Sequence, residues 1–314
     1  MSGELVTTSS RALANSIVMP DNAYEKFLSY VDASPKTLET YTRNLRQFWK
    51  YIQENNITQP TREDILAYRD ELKTRLKPST VQNYITVVRV FFDWLEQERI
   101  YPNVAKKIKG AKIGRDHKKD YFTKSQVKTI IEGIDTDSVA GLRNYAIFML
   151  MVSCGLRTIE VARADIKDLR ARGGKEVLYI QGKGHEEKEA FVIIPAPVEE
   201  AIRAYLKARG KVKDNEPLFC STSNNSTGAR LTTRSISGIV KDSMKNAGFD
   251  NERFTAHSLR HSAVTCAIEE GQPVQVVQAF ARHSNIQTTM IYYHAQEATN
   301  NPCSDIICKA IFDK

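Results

Sequence analysis

No run of apolar residues in this 314-residue chain approaches the roughly 18 needed to cross a bilayer as a helix. The opening residues, MSGELVTTSSRALANS, lack the basic start and apolar stretch of a signal peptide. No membrane association is expected, and a cytoplasmic location is. Cysteine is scarce: Cys154, Cys220, Cys266, Cys303 and Cys308 are odd in number and form no Cys-x-x-Cys pair, which argues against a disulfide framework and points to reduced thiols. The spacing Gly-x-x-x-x-Gly-Lys-[Ser/Thr] is missing, so nucleotide hydrolysis has no support. His257 and His261 have the i, i+4 spacing of a metal-binding helix, but HSLRH lacks the glutamate of His-Glu-x-x-His and has no third-ligand motif nearby. No metal site is expected.

Positive charge is present in excess. Lysine and arginine number 45 against 37 acidic residues, a formal net charge of +8. That balance suits a polyanionic partner such as nucleic acid, and it also suits an ordinary basic soluble protein. The length fits two domains at about 150 residues each.

Residues 1–20 are polar and rich in small side chains, which predicts a poorly ordered arm. Helical patterning follows. A short helix is expected near 22–31. Ser34 is placed to cap the next, Pro35 suits its first turn, and Leu38, Tyr41, Leu45, Phe48, Trp49 and Ile52 recur at helical spacing. Thr61 and Asp64 have the spacing of a capping box ahead of Ile65, Tyr68 and Leu72. After Pro78-Ser79, a stripe from Val81 through Tyr84, Ile85, Val88, Phe91 and Phe92 to Leu95 completes a four-helix domain over 21–107. The aromatic residues sit at i, i+3, i+4 spacing and read as core. On the polar faces Lys36, Arg43, Arg46, Lys50, Lys73, Arg75 and Lys77 are candidate phosphate contacts, against the competing reading of a solvated mixed-charge surface. Residues 101–120 carry seven Lys and Arg against two Asp. The part from 108 to 120 reads as a basic linker that would let two domains close around a duplex.

The second domain is expected over 121–294. Thr123 to Gln126 forms a helix start, and an apolar helix runs from Tyr145 to Gly155. Two apolar stretches, from Val177 and from Ala190, flank GKGHEEKE and read as a β-hairpin. Helices over 197–209 and 232–247 are separated by a polar loop. His257 and Arg260 share a face of the helix that follows, while His283 precedes Tyr292 and Tyr293 by nine and ten residues. Imidazoles and a guanidinium near a phenol suit attack on a phosphodiester, whose transition state gathers charge on its non-bridging oxygens. A lone His-x-x-Arg is weak evidence; it occurs more often as a core histidine beside a surface arginine.

Several separated motifs resemble, in order, those of the tyrosine recombinase (phage integrase) family, which includes Xer-like site-specific recombinases. Gly155, Leu156, Arg157 and Glu160 match its Gly-Leu-Arg-x-x-Glu pattern, and Gly182, Lys183 and Gly184 its Gly-Lys-Gly hairpin. His257 and Arg260 match its His-x-x-Arg box; His283, Ser284, Thr288, Thr289, Tyr292 and His294 match its final run. Arg282 stands where that pattern has glycine.

The resemblance implies a mainly α fold with a small β-sheet: a helical, SAM-like core-binding domain followed by an α+β catalytic domain. It implies strand cleavage through a 3′-phosphotyrosine on Tyr292, without a cofactor. Arg157, Arg260 and His283 would contact non-bridging oxygens, His257 would handle the phenolic proton, and Lys183 would donate to the leaving 5′-oxygen. The implied partners are double-stranded DNA with paired half-sites and a homotetramer on two duplexes, with residues 295–314 as a tail exchanged between protomers. A type IB topoisomerase-like or hairpin-forming strand transferase shares the cut, and a catalytically silent architectural DNA-binding protein shares the fold; both remain as alternatives.

Overall fold

The computed structural model describes residues 22–112, 120–182, 187–299 and 301–312. The chain divides into two compact units, residues 1–116 and 117–314.

The first unit contains four helices: α1 (Ala23–Tyr30), α2 (Pro35–Glu54), α3 (Arg62–Arg75) and α4 (Pro78–Gln97). Their starts follow local chemistry. The Ser34 hydroxyl accepts from the Thr37 amide at 3.3 Å ahead of Pro35, and Thr61 and Asp64 close a reciprocal capping box. Each such cap stabilises its helix by about 1 kcal/mol. The apolar stripes meet in one core around Phe27, Phe48, Tyr68, Phe91 and Phe92, with Phe27 edge-on to Phe91 at 5.3 Å between ring centres. These aromatic side chains are buried among themselves, so they are packing residues.

The beginning of the expected linker belongs to this core. Tyr101, Ala105 and Ile108 are buried in it, and the Tyr101 hydroxyl donates to the Pro60 carbonyl at 2.9 Å. Arg62 and Arg69 donate to the carbonyls of Lys106 and Lys109 at 2.7 and 3.3 Å. The expected boundary at 107/108 therefore falls inside packed structure. Three apolar residues at helical spacing were masked in the sequence by lysines whose charged ends stay in solvent.

The second unit begins with α5 (Lys124–Glu132), α6 (Val139–Cys154) and α7 (Thr158–Arg163). Strands β1 (Leu169–Arg172), β2 (Lys175–Ile180) and β3 (Ala190–Ile193) form an antiparallel sheet in the order β1-β2-β3, with Leu178 opposite both Leu169 and Val192. The expected hairpin corresponds to β2 and β3; β1 is only four residues long and mostly exposed, too short for its alternation to reveal it. Helices α8 (Ala196–Arg209), α9 (Thr233–Asn246), α10 (Ala256–Glu269), α11 (Val274–Ala281), α12 (Ile286–Thr299) and α13 (Cys303–Phe312) follow. The expected boundary at 294/295 lies within α12. Helix α10 is buried on nearly every side, Arg260, His261 and Ser262 included. The Ser262 hydroxyl accepts from the Phe122 amide at 2.8 Å and donates to the Ser258 carbonyl, fixing the start of the unit to the helix that carries the His-x-x-Arg box. Among the described residues, no helix is long and apolar enough to cross a membrane.

Candidate active site

Two helix C-termini meet at the centre of the site. Helix α6 ends at Gly155 with φ +58°, and a Cβ there would stand 3.1 Å from the Phe280 ring, so both backbone and packing favour glycine. Helix α11 ends at Arg282, also left-handed at φ +53°. The last carbonyls of a helix lack intrahelical donors and carry partial negative charge. Here guanidinium groups supply the donors. Arg260 donates to the carbonyls of Gly155, at 2.6 Å, and Ala281. Arg157 donates to the Arg282 carbonyl at 3.3 Å, and Arg282 donates to the carbonyls of Phe280 and Gly155 at 2.8 and 2.9 Å.

Glu160 joins this cluster from α7. Its carboxylate accepts from the Arg157 amide at 2.7 Å, from Arg157 Nη1 at 2.9 Å and from Arg282 Nη2 at 3.0 Å. Burial pushes its carboxyl pKa up, but the charge of Arg282, the Arg157 amide and the charge of Arg157 together hold it below the ordinary value. Glu160 is therefore an ionised, buried counter-charge among three arginines. Burial lowers the Arg260 pKa to about 10, with repulsion from Arg157 and Arg282 adding to the effect, so it stays charged at neutral pH. Arg157 is the more open of the two matched arginines. With His257, Ser237 and Lys241 it lines a cleft of about 680 Å³.

His283 follows the end of α11, and its Nδ1 lies 2.9 Å from the buried Thr289 hydroxyl of α12. Burial lowers its pKa to about 4, helped by Arg260, Arg157, Arg282 and His257, so at neutral pH it is an uncharged imidazole. Tyr292, on the next part of α12, lies with its ring centre 6.5 Å from that of His283 and nearly parallel to it. Its hydroxyl is 2.6 Å from His261 Nδ1. Burial pushes the phenol pKa up to about 12, with only partial relief from Arg260, so the neutral phenol is the resting form. Tyr293 points elsewhere, donating to the Gln272 carbonyl.

The structure thus brings Arg157, Arg260, His283 and Tyr292 together. His257 lies exposed at the rim, its ring centre 4.7 Å from that of His261. Lys183 lies outside the described residues. Nearby Lys188 donates to the Arg163 carbonyl at 2.9 Å and to Asp165 at 2.7 Å, and also to Asp168. Sequence reasoning missed His261, which was weighed only as a metal ligand; among the described residues no group of His, Cys, Asp and Glu is arranged to hold a metal. Its position one turn from His257 on the same helix was the available signal.

In the first unit the seven candidate phosphate contacts are exposed, but four have acidic neighbours: Lys36 with Glu39, Lys50 with Glu54, Lys73 with Asp70 and Arg75 with Glu71. Arg43, Arg46 and Lys77 make no ion pair among the described residues.

Residues 120–299 match the pattern described as the phage integrase family, and residues 22–99 match the phage integrase N-terminal SAM-like domain. The chain is 30% identical over 269 residues to tyrosine recombinase XerC of Pelobacter propionicus, covering 83% of this chain and 85% of that protein. It is 26% identical to XerC of Caldanaerobacter subterraneus over 89% of this chain and 86% of that one. In fold it is similar to the XerH site-specific recombinase bound to palindromic difH substrate, with a TM-score of 0.73 and 22% identity over 88% of this chain and 81% of that one.

Proposed function

The chain belongs to the phage integrase family of tyrosine recombinases, and from that membership we propose that it cuts and rejoins DNA at specific sites. The observation that carries the reading is the Tyr292 hydroxyl 2.6 Å from His261 Nδ1, on a ring lying nearly parallel to His283 and within the field of carbonyl-anchored Arg260. In the first step the Tyr292 oxygen attacks phosphorus, a P–O(Tyr292) bond forms, and the bond to the 5′-oxygen breaks. The phenolic proton leaves and the 5′-oxygen gains one. In the second step the 5′-hydroxyl of a partner strand attacks the phosphotyrosine and releases Tyr292. Bond energy is conserved throughout.

Arg157 and Arg260 are assigned to the non-bridging oxygens, and neutral His283 to a further hydrogen bond. The first acceptor of the phenolic proton is His261 Nδ1, with exposed His257 beside it. Lys183 is assigned to the leaving 5′-oxygen. Lys36, Arg43, Arg46, Lys50, Lys73, Arg75 and Lys77 are assigned to the DNA backbone, and of these Arg43, Arg46 and Lys77 are expected to matter most because they make no close ion pair among the described residues. A cytoplasmic location belongs to the same reading, and cell fractionation checks it.

The test uses a duplex chosen from a randomised library by binding to the intact chain, then nicked beside the cleavage position. Denaturing gels should show a covalent protein–DNA adduct, and two such sites should exchange strands. Binding without an adduct favours the architectural alternative; an adduct without exchange favours the topoisomerase-like one.

Homotetramer assembly on two duplexes is part of the proposal. Every described residue of α13 is exposed, including Ile306, Ile307, Ile311 and Phe312. A cleft of about 490 Å³ lined by Val127, Ile131, Met149, Val152, Ala263 and Phe280 offers an apolar seat for the same helix of a neighbouring protomer. Deleting residues 303–314 should weaken assembly on a full site at least about tenfold while sparing half-site binding. Unchanged assembly, read by native gel and light scattering, would end the exchange idea.

A further inference from the structure

Arg282 departs from the family pattern, and its backbone lies in the left-handed region where a Cβ is disfavoured. Its side chain is nevertheless well ordered by contacts. One guanidinium reaches the Phe280 carbonyl, the Gly155 carbonyl and the Glu160 carboxylate, and its own carbonyl accepts from Arg157. The Gly155 carbonyl is shared with Arg260. The residue therefore touches the partners of both matched arginines without lining the open cleft beside Arg157.

We propose that Arg282 is a positioning residue for strand cleavage, a clasp that ties the α6–α7 turn carrying Arg157 to the end of α11 carrying His283. The inference rests on the recombinase reading and deepens it. A hydrogen-bonded counter-charge at Glu160 keeps Arg157 directed, and Arg282 keeps that counter-charge ionised. The charged groups facing Glu160 are Arg157 from its own turn, Arg282 from the end of α11 and Arg260 from α10. With Arg282 removed, Glu160 keeps the burial that raises its pKa and loses the strongest of the charges that lower it. Its carboxylate then protonates at higher pH, and the support it gives Arg157 is lost as pH falls through that raised value.

The experiment measures single-turnover adduct formation on the selected nicked duplex as a function of pH. Arg282→Gly relieves the backbone and should keep cooperative thermal unfolding and half-site affinity. Its cleavage rate should fall on the order of 100-fold, as expected for misplaced binding groups. Its acid limb should move to higher pH. Because His283 also rises when Arg282 leaves, the measurement is repeated in a Glu160→Gln background, where the effect of Arg282→Gly should largely disappear. Arg282→Lys should recover part of the rate, and Arg282→Gln provides the same comparison should glycine loosen the fold. A wild-type chain that cleaves, with variants that cleave equally fast at every pH or lose the same factor in the Glu160→Gln background, overturns the proposal. A wild-type chain that forms no adduct refutes the recombinase reading instead.

Discussion

Tyr292→Phe should abolish the covalent adduct, lowering cleavage by roughly 10⁴-fold or more, because removal of a nucleophile is not compensated by the groups that remain. DNA binding should persist, since the ring and its packing are unchanged. Tyr293→Phe is the control: successive helical residues point about 100° apart, and the Tyr293 hydroxyl is already engaged with the Gln272 carbonyl. Its effect should stay below about tenfold. The raised pKa of Tyr292 adds a sign. A phenol held neutral up to about 12 supplies little phenolate at neutral pH, so single-turnover cleavage should rise with pH wherever proton removal limits the rate. An adduct that survives Tyr292→Phe and disappears in Tyr293→Phe would reverse the assignment.

Two lysines between β2 and β3 should behave oppositely. Lys183→Ala should lower cleavage of ordinary DNA by about 10²–10⁴-fold, the range typical of a lost general acid. A 5′-bridging phosphorothioate, whose leaving group departs without protonation, should restore most of that rate. Lys188→Ala should instead reduce stability by about 3 kcal/mol, because it takes the counter-charge from a nearly buried Asp168 carboxylate, which keeps only the Asp165 amide, and leaves Asp165 with Arg230. Thermal unfolding separates the two outcomes. Equal impairment of Lys183→Ala on both substrates would make it a binding residue.

Much of this architecture was legible because its causes are local. Ser34-Pro35 and Thr61–Asp64 mark helix starts through side chains three residues apart, and the aromatic stripes of α2 and α4 repeat at the helical period. The matched arginines, His283 and Tyr292 were legible through ordered motifs. What escaped was non-local or unpatterned. Strand β1, LRAR, alternates over only four residues and is mostly exposed, too short a signal to mark a strand. Helix α10 buries His261 and Ser262, so the usual equation of polar with exposed fails along its length. The partners of Arg260 are carbonyls 105 and 21 residues away, and a carbonyl leaves no trace in residue identity.

That invisibility has a consequence for how the pocket tolerates drift. A salt bridge is lost when either codon changes, and Arg157 is vulnerable in this way through Glu160. Arg260 is anchored by two peptide oxygens that every residue type supplies. No replacement of a partner side chain can delete those acceptors; only a change that redirects the backbone at Gly155 or Ala281 can. The buried arginine is thus insulated from mutation at its partners, while its more open counterpart divides its hold between one peptide oxygen and a glutamate that mutation can remove.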